Sequence, residues 1–175
     1  MPVIVYNNTA NFGVNVVKAM ANLRNRVVVD GDACPVKSEI ARTVRDAGAT
    51  ALMVSSHAHV LTPEPSVQVV TVDASDQSAD LYIANVLTRA DILVTGDYGL
   101  AALGLARGAA VLTPRGKQIR ESDIDGLLTQ RHLSARQRRN GMRTKGPKPF
   151  TEEDRSRFQQ KLTTLLRGMQ ENFDD

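Results

Sequence analysis

Val27-Val28-Val29-Asp30-Gly31-Asp32-Ala33-Cys34-Pro35-Val36-Lys37 is the stretch on which the fold turns. Three consecutive β-branched residues read as a strand covered on both faces, the kind found inside a parallel sheet. Asp30 ends it. Pro35 suits the first turn of a helix, where its missing N–H does no harm. That helix is expected to run to about Ala47 and stop at Gly48. Strand, acidic turn and helix together open a βαβ unit.

The pattern repeats downstream. Ala51 to Val54 reads as a second strand, ending in Ser55-Ser56, and Val67 to Val72 as a third, after a loop with Pro63 and Pro65. Asp76 to Ala90 reads as a helix, with Ala79, Ile83, Val86 and Leu87 on one stripe. Ile92 to Val94 is a strand ending in Thr95-Gly96-Asp97. Leu100 to Arg107 is a short helix closed by Gly108, and Ala109 to Leu112 is the last strand. Strands alternating with helices predict an α/β domain of three layers around a parallel central sheet. Beyond it, Ile124, Leu127 and Leu128 suggest a helix. The polar stretch 131–150, with Gly141, Gly146, Pro147 and Pro149, reads as an arm or loop. Thr151 followed by Glu152, Glu153 and Asp154 is a helix start, a capping side chain and then acids at the positive dipole end. Phe158, Leu162, Leu165, Leu166 and Met169 give that C-terminal helix an apolar face to pack on the domain. The chain thus divides into an extension (1–25), an α/β domain (26–130), a basic arm (131–150) and a C-terminal helix (151–175).

At 175 residues the chain suits one domain with a core. No apolar run is long enough for a membrane span, and no signal peptide is evident at the start. The single cysteine, Cys34, excludes an internal disulfide or a four-cysteine zinc site and points to a reducing cytoplasm. The sequence leaves a homo-oligomer open. The net charge of +3 hides a division. Residues 1–130 hold 11 Lys/Arg against 13 Asp/Glu, and residues 131–175 hold 11 against 6. From Arg131 to Phe150 there are seven basic residues and no acidic one. An acidic body carries a basic segment.

Ligands of an open parallel sheet bind beyond the carboxyl ends of its strands. Asp30 and Asp32 follow the first strand, Asp73 and Asp76 the third, and Asp97 the fourth. Asp80 lies one helical turn beyond Asp76 on the same face. Each taken singly is an ordinary cap or turn residue, and Asp76 reads well as a cap. Jointly they crowd one edge with carboxylates, a conflict that Mg²⁺ or Mn²⁺ would resolve. Asp-x-Asp after a strand also suits a haloacid-dehalogenase-like phosphatase, with Asp30 as nucleophile and Ser55 in the second motif. A matching acidic pair near the fourth strand is missing. Cys34 sits at a helix entrance, which favours a thiolate, among carboxylates, which oppose it. A nucleophile and a small, partly buried side chain are both open there. His57 and His59 fall in the proline-bearing loop.

DGDACPVK, SADLYIANVL, DILVTGDYGLA, GAAVLTPRG and KGPKPFTEEDRSRF, in this order, resemble the bacterial YaiI/YqxD family over about residues 26–167. Gly31 stands where that family has alanine. The family is functionally uncharacterised, so the resemblance implies no activity by itself. Its acid pattern is similar to a PIN-like domain, the fold of many metal-dependent RNases. This implies catalytic and metal-binding roles for Asp30, Asp80 and Asp97, with Thr95 as the threonine after the fourth strand. Asp32, two residues after Asp30, reads as an added metal ligand.

A phosphodiester substrate would explain both halves of the charge division. Arg131, Arg136, Arg138, Arg139, Arg143, Lys145 and Lys148 would hold phosphates, with Arg115, Lys117 and Lys37 nearer the acids. The expectation is a Mg²⁺- or Mn²⁺-dependent nuclease, RNA favoured, in which metal-activated water attacks phosphorus. The alternatives are a non-catalytic RNA-binding protein and the phosphatase through Asp30.

Overall fold

The computed structural model describes residues 25–32, 34–55, 65–72, 78–139, 146 and 148–171. Strands β1 (Arg26–Asp30), β2 (Thr50–Ser55), β3 (Val67–Thr71), β4 (Asp91–Val94), β5 (Ala110–Leu112) and β6 (Gln118–Ile119) form one sheet in the order β3-β2-β1-β4-β5-β6. All neighbours are parallel except β6, which runs antiparallel to β5. Helices α1 (Lys37–Asp46), α2 (Ser78–Val86), α3 (Tyr98–Ala106), α4 (Glu121–Arg139) and α5 (Glu152–Glu171) cover it. None of these helices is long and apolar enough to cross a membrane.

The β-branched run behaves as its period requires. Val27 and Val29 point to one face, into a core with Met53, Val94, Ile40 and Val44 from α1, and Phe158, Leu162 and Leu166 from α5. Val28 points to the other, with Leu52, Leu93, Ile83 from α2, Leu100 from α3, and Ile124 and Leu127 from α4. The expected three-layer α/β architecture is the one observed. Gly104 lets α3 lie close on the sheet, since a Cβ there would stand 2.6 Å from Leu93 Cδ2.

Two stretches differ from expectation. β6 has only two residues, too few to give a periodic signal. The basic segment begins as helix, because α4 continues unbroken to Arg139. The first helix-breaking residue after Gly126 is Gly141, so nothing in 131–139 opposes the extension.

At the start of α5, Thr151 Oγ1 accepts from the Asp154 N–H at 3.2 Å while an Asp154 oxygen accepts from the Thr151 N–H at 3.1 Å. This reciprocal cap satisfies two donors that a helix end leaves open. Arg115 adds an ion pair to Asp154 at 2.5 Å and donates to the Lys148 and Pro149 carbonyls. The Arg115 and Arg155 guanidinium groups lie 5.4 and 5.1 Å from the Phe150 ring centroid. Arg155 then reaches Glu39 of α1 at 3.1 Å and the Pro35 carbonyl at 2.7 Å. The last helix is therefore fastened to the turn that follows Asp30.

Candidate functional site

The chain runs outward from β1 through β2 to β3, then returns to place β4 on the other side of β1. This reversal opens a crevice between the carboxyl ends of β1 and β4, the position where open α/β sheets bind ligands. Asp30 and Thr95 face each other across it, with Thr95 Oγ1 donating to Asp30 Oδ2 at 3.1 Å. The same hydroxyl accepts from the Asp97 N–H at 3.0 Å. One threonine thus ties the first acid to the turn that carries the third.

Asp97 is the N-cap of α3. Its Oδ1 accepts from the N–H groups of Gly99 at 2.7 Å and Leu100 at 3.0 Å. Arg131 of α4 pairs with the same carboxylate, at 3.0 Å to Oδ2 and 3.2 Å to Oδ1. Asp80 stands in the first turn of α2. Asp32 is exposed and accepts a hydrogen bond from Ser55 at the end of β2. Between them Gly31 donates to Val54 O at 2.7 Å, and a Cβ there would lie 2.8 Å from that oxygen. In this chain glycine lets the acidic turn close against β2.

The electrostatics show how crowded the edge is. Burial pushes the Asp30 carboxyl above the ordinary aspartate range. The Thr95 hydrogen bond opposes this, and the charges of Asp80, Asp32 and Asp97 add to the rise. Burial also raises Asp80, with Asp97 acting in the same direction and Arg131 against it. Four carboxylates from β1, its following turn, α2 and the entrance of α3 therefore share one electrostatic neighbourhood.

Their donor chemistry suits a hard divalent cation. Among the described residues, however, no three His, Cys, Asp or Glu side chains form a group that could hold an ion. The residues fit a Mg²⁺-type arrangement, one or two carboxylates completed by water and substrate. They do not fit a closed cage of three.

The remaining expected site residues divide clearly. Lys37 opens α1 beside Cys34. Burial pushes the Cys34 thiol up to about 11, against the pull of the Val36 N–H and the Lys37 charge, so it stays protonated at neutral pH. Of the two readings open for Cys34, this favours the small, partly buried side chain. Arg115 does not stand free for phosphates, because Asp154, two carbonyls and the Phe150 ring engage it. Arg139 is exposed near the end of α4. Asp73, Asp76, His57, His59, Arg143, Lys145 and the side chain of Arg138 lie outside the described residues. Sequence reasoning missed the fastening of the Asp30–Pro35 turn by Glu39 and Arg155. Those two are 116 residues apart, and no local pattern links them.

The fold and its acidic crevice define an α/β protein with carboxylates at the topological switch point of its sheet. The chain belongs to the YaiI/YqxD family: the model of the family described as "Uncharacterized BCR, YaiI/YqxD family" matches residues 28–168. It is similar to UPF0178 protein BH1374 of Halalkalibacterium halodurans, 46% identical over 140 residues, which are 80% of this chain and 89% of that one. A UPF0178 protein of Shouchella clausii is 41% identical over 140 residues, 80% of this chain and 91% of the relative. One of Enterococcus faecalis is 40% identical over 144 residues, 81% and 97% of the respective chains. No solved structure matches.

Proposed function

We propose that this protein is a divalent-cation-dependent phosphodiester hydrolase of PIN-like type, acting on RNA at the carboxyl edge of its sheet. The observation that carries the reading is the convergence of Asp30, Asp32, Asp80 and Asp97, in which burial and mutual repulsion raise Asp30. Asp97 also caps α3 and Asp32 accepts from Ser55. Yet neither role calls for Asp30 and Asp80 to be partly buried among like charges, and the fold gains nothing from carboxylates that repel one another. They are what a cation-binding edge requires.

Asp30 and Asp97 flank the crevice and would hold the ion, with Asp32 and Asp80 beside them. A bound Mg²⁺ or Mn²⁺ supplies Lewis-acid charge and a more acidic water. Thr95 fixes the orientation of Asp30 and of the Asp97 backbone through its single hydroxyl. Arg131, with its side chain 53% exposed, is free to turn from Asp97 to a phosphate oxygen. Lys37 and Arg139 add to the basic surroundings of the substrate. The setting is a reducing cytoplasm, as the lone cysteine suggests.

The test is hydrolysis of labelled RNA with Mn²⁺ by the wild type, Asp30→Asn and Asp97→Asn. Asparagine preserves the side-chain volume, and at position 97 it still caps α3. A loss of about 100-fold or more is expected for each variant. Equal rates would overturn the mechanism.

One observation favours a second reading, RNA binding without catalysis: Asp97 already serves as helix cap and as partner of Arg131. That reading requires RNA affinity to survive both chelator and the two asparagine variants, with no hydrolysis at any metal concentration.

A further inference from the structure

We infer that the exposed side of α4 beyond Arg131 is a phosphate rail for single-stranded RNA, leading strand to or from the carboxyl edge. The inference deepens the function proposed above and rests on it for the nature of the substrate. Its geometric anchor is the Arg131–Asp97 pair, which fixes the point where α4 meets the edge. From there the helix continues for eight more residues, to Arg139.

His132, Arg136 and Arg139 follow at intervals of four and three, which places them in one row along a helix. All three are exposed, and among the described residues none forms an ion pair. No acidic residue occurs between Asp125 and Glu152. The row is therefore not neutralised by its own segment. Arg136 and Arg139 in the last turn also suit the negative end of the helix dipole. That effect does not explain a row that begins at His132, nor a stretch so long without an acid.

The row spans about 10 Å of helix axis, at about 1.5 Å per residue. A stacked strand advances about 3.4 Å per nucleotide, so the row matches about three phosphates. His132 offers a hydrogen-bond donor, and the two arginines offer fixed charge with forked donors. The substrate class that follows is an oligonucleotide extending about three nucleotides past the edge. A dinucleotide at the carboxylates would not extend to Arg136 and Arg139. A basic stretch with no acid in it matches the unbroken negative charge of a phosphate backbone better than the mixed charge of an acidic protein.

The experiment is fluorescence anisotropy over a salt series in EDTA, with a labelled single-stranded RNA dodecamer and a labelled dinucleotide. Arg136→Ala with Arg139→Ala should weaken dodecamer binding roughly tenfold. It should also flatten the slope of log K against log salt by about 1.4, about 0.7 for each lost phosphate contact. The loss should be confined to the dodecamer, and Arg136→Lys with Arg139→Lys should keep the slope. An unchanged slope and affinity in the alanine variant would overturn the rail. Competition by polyglutamate as strong, charge for charge, as by RNA would also overturn it, in favour of an acidic protein partner. Mn²⁺-dependent hydrolysis of bis(p-nitrophenyl) phosphate, which is too short for the rail, judges the edge separately. If the wild type does not hydrolyse it, the edge reading fails, and the salt slope still decides the rail.

Discussion

Two aspartates stand at opposite ends of adjacent strands in this sheet and meet opposite conditions. Asp91 opens β4, its side chain only 1% exposed. It accepts four hydrogen bonds: from Arg26 Nε at 2.9 Å and Nη2 at 2.8 Å, and from Thr88 N at 2.7 Å and Oγ1 at 3.0 Å. Asp30 closes β1, the strand that Arg26 begins. Among the described residues its side chain accepts one hydrogen bond, from Thr95, and its other electrostatic neighbours are carboxylates. The sheet thus has at one end a buried acid that is fully matched, Asp91, and at the other one that is not, Asp30. Matched charge maintains strand register, as the Arg26↔Asp91 pairing shows. Unmatched charge, held in place by a rigid scaffold, is the condition expected where a fold serves binding instead of its own stability.

Removing each acid in turn should separate the two ends most strongly. Asp91→Ala leaves Arg26 facing an apolar gap, and removing one partner of a buried pair costs about 3–5 kcal/mol. In a chain of this size that lowers the melting temperature by roughly 10 °C, read by scanning fluorimetry. Asp30→Asn, nearly isosteric, should leave the midpoint at pH 7 equal to or above that of the wild type. If the two substitutions cost the same, the two ends of the sheet do not differ in the way described. The next effect comes from the cation. At about 100 times its dissociation constant, Mn²⁺ should stabilise the wild type by about 2.7 kcal/mol and raise its midpoint by roughly 8 °C. Asp30→Asn should lose most of that gain. A midpoint indifferent to Mn²⁺, Mg²⁺ and chelator in the wild type would count against any cation at this edge.

These two ends were not equally legible in the sequence. The carboxyl end could be read because each strand announces itself by a short apolar run, and the residue after it must fall at the edge. This holds for Val27–Val29 with Asp30 and for Ile92–Val94 with Thr95 and Asp97. The opposite end could not, since Asp91 reads as an unremarkable turn residue until Arg26, 65 positions earlier, is brought beside it. Distance in sequence also hid the partners of Arg115, which looks like a free cation after β5 but meets Asp154 39 residues later. The helical start of the basic segment was obscured for a different reason. Its charges and the glycines and prolines from Gly141 onward suggest a loop, while Leu133 and Ala135 among arginines are good helix formers. What stayed out of reach was pairing, because an ion pair leaves no period.

The smallest expected effect is a dependence on pH, and its sign separates the two kinds of acid. Asp30 and Asp80 are raised, so between the ordinary aspartate value of 3.8 and their folded values the native state binds more protons than the unfolded chain. Whatever stability they contribute is present below that window and falls as pH rises through it. Asp154 is lowered, by the Thr151 N–H first and with help from Arg115. Glu39 is lowered as well, where its own N–H, Ser38 and Arg155 outweigh burial. Their contributions are present above the ordinary carboxylate range and fall as pH drops through their folded values. The net acid profile mixes both signs, so the difference between Asp30→Asn and wild type is the cleaner measure. In chelator that difference in midpoint should widen in favour of the variant as pH rises from about 3.5 toward neutrality, then level off once Asp30 is ionised. In saturating Mn²⁺ it should reverse at pH 7, because the cation rewards the ionised form that burial and repulsion disfavour. A gap that stays constant with pH in chelator would mean that Asp30 carries no raised carboxyl, and the contrast with Asp91 would then reduce to burial alone.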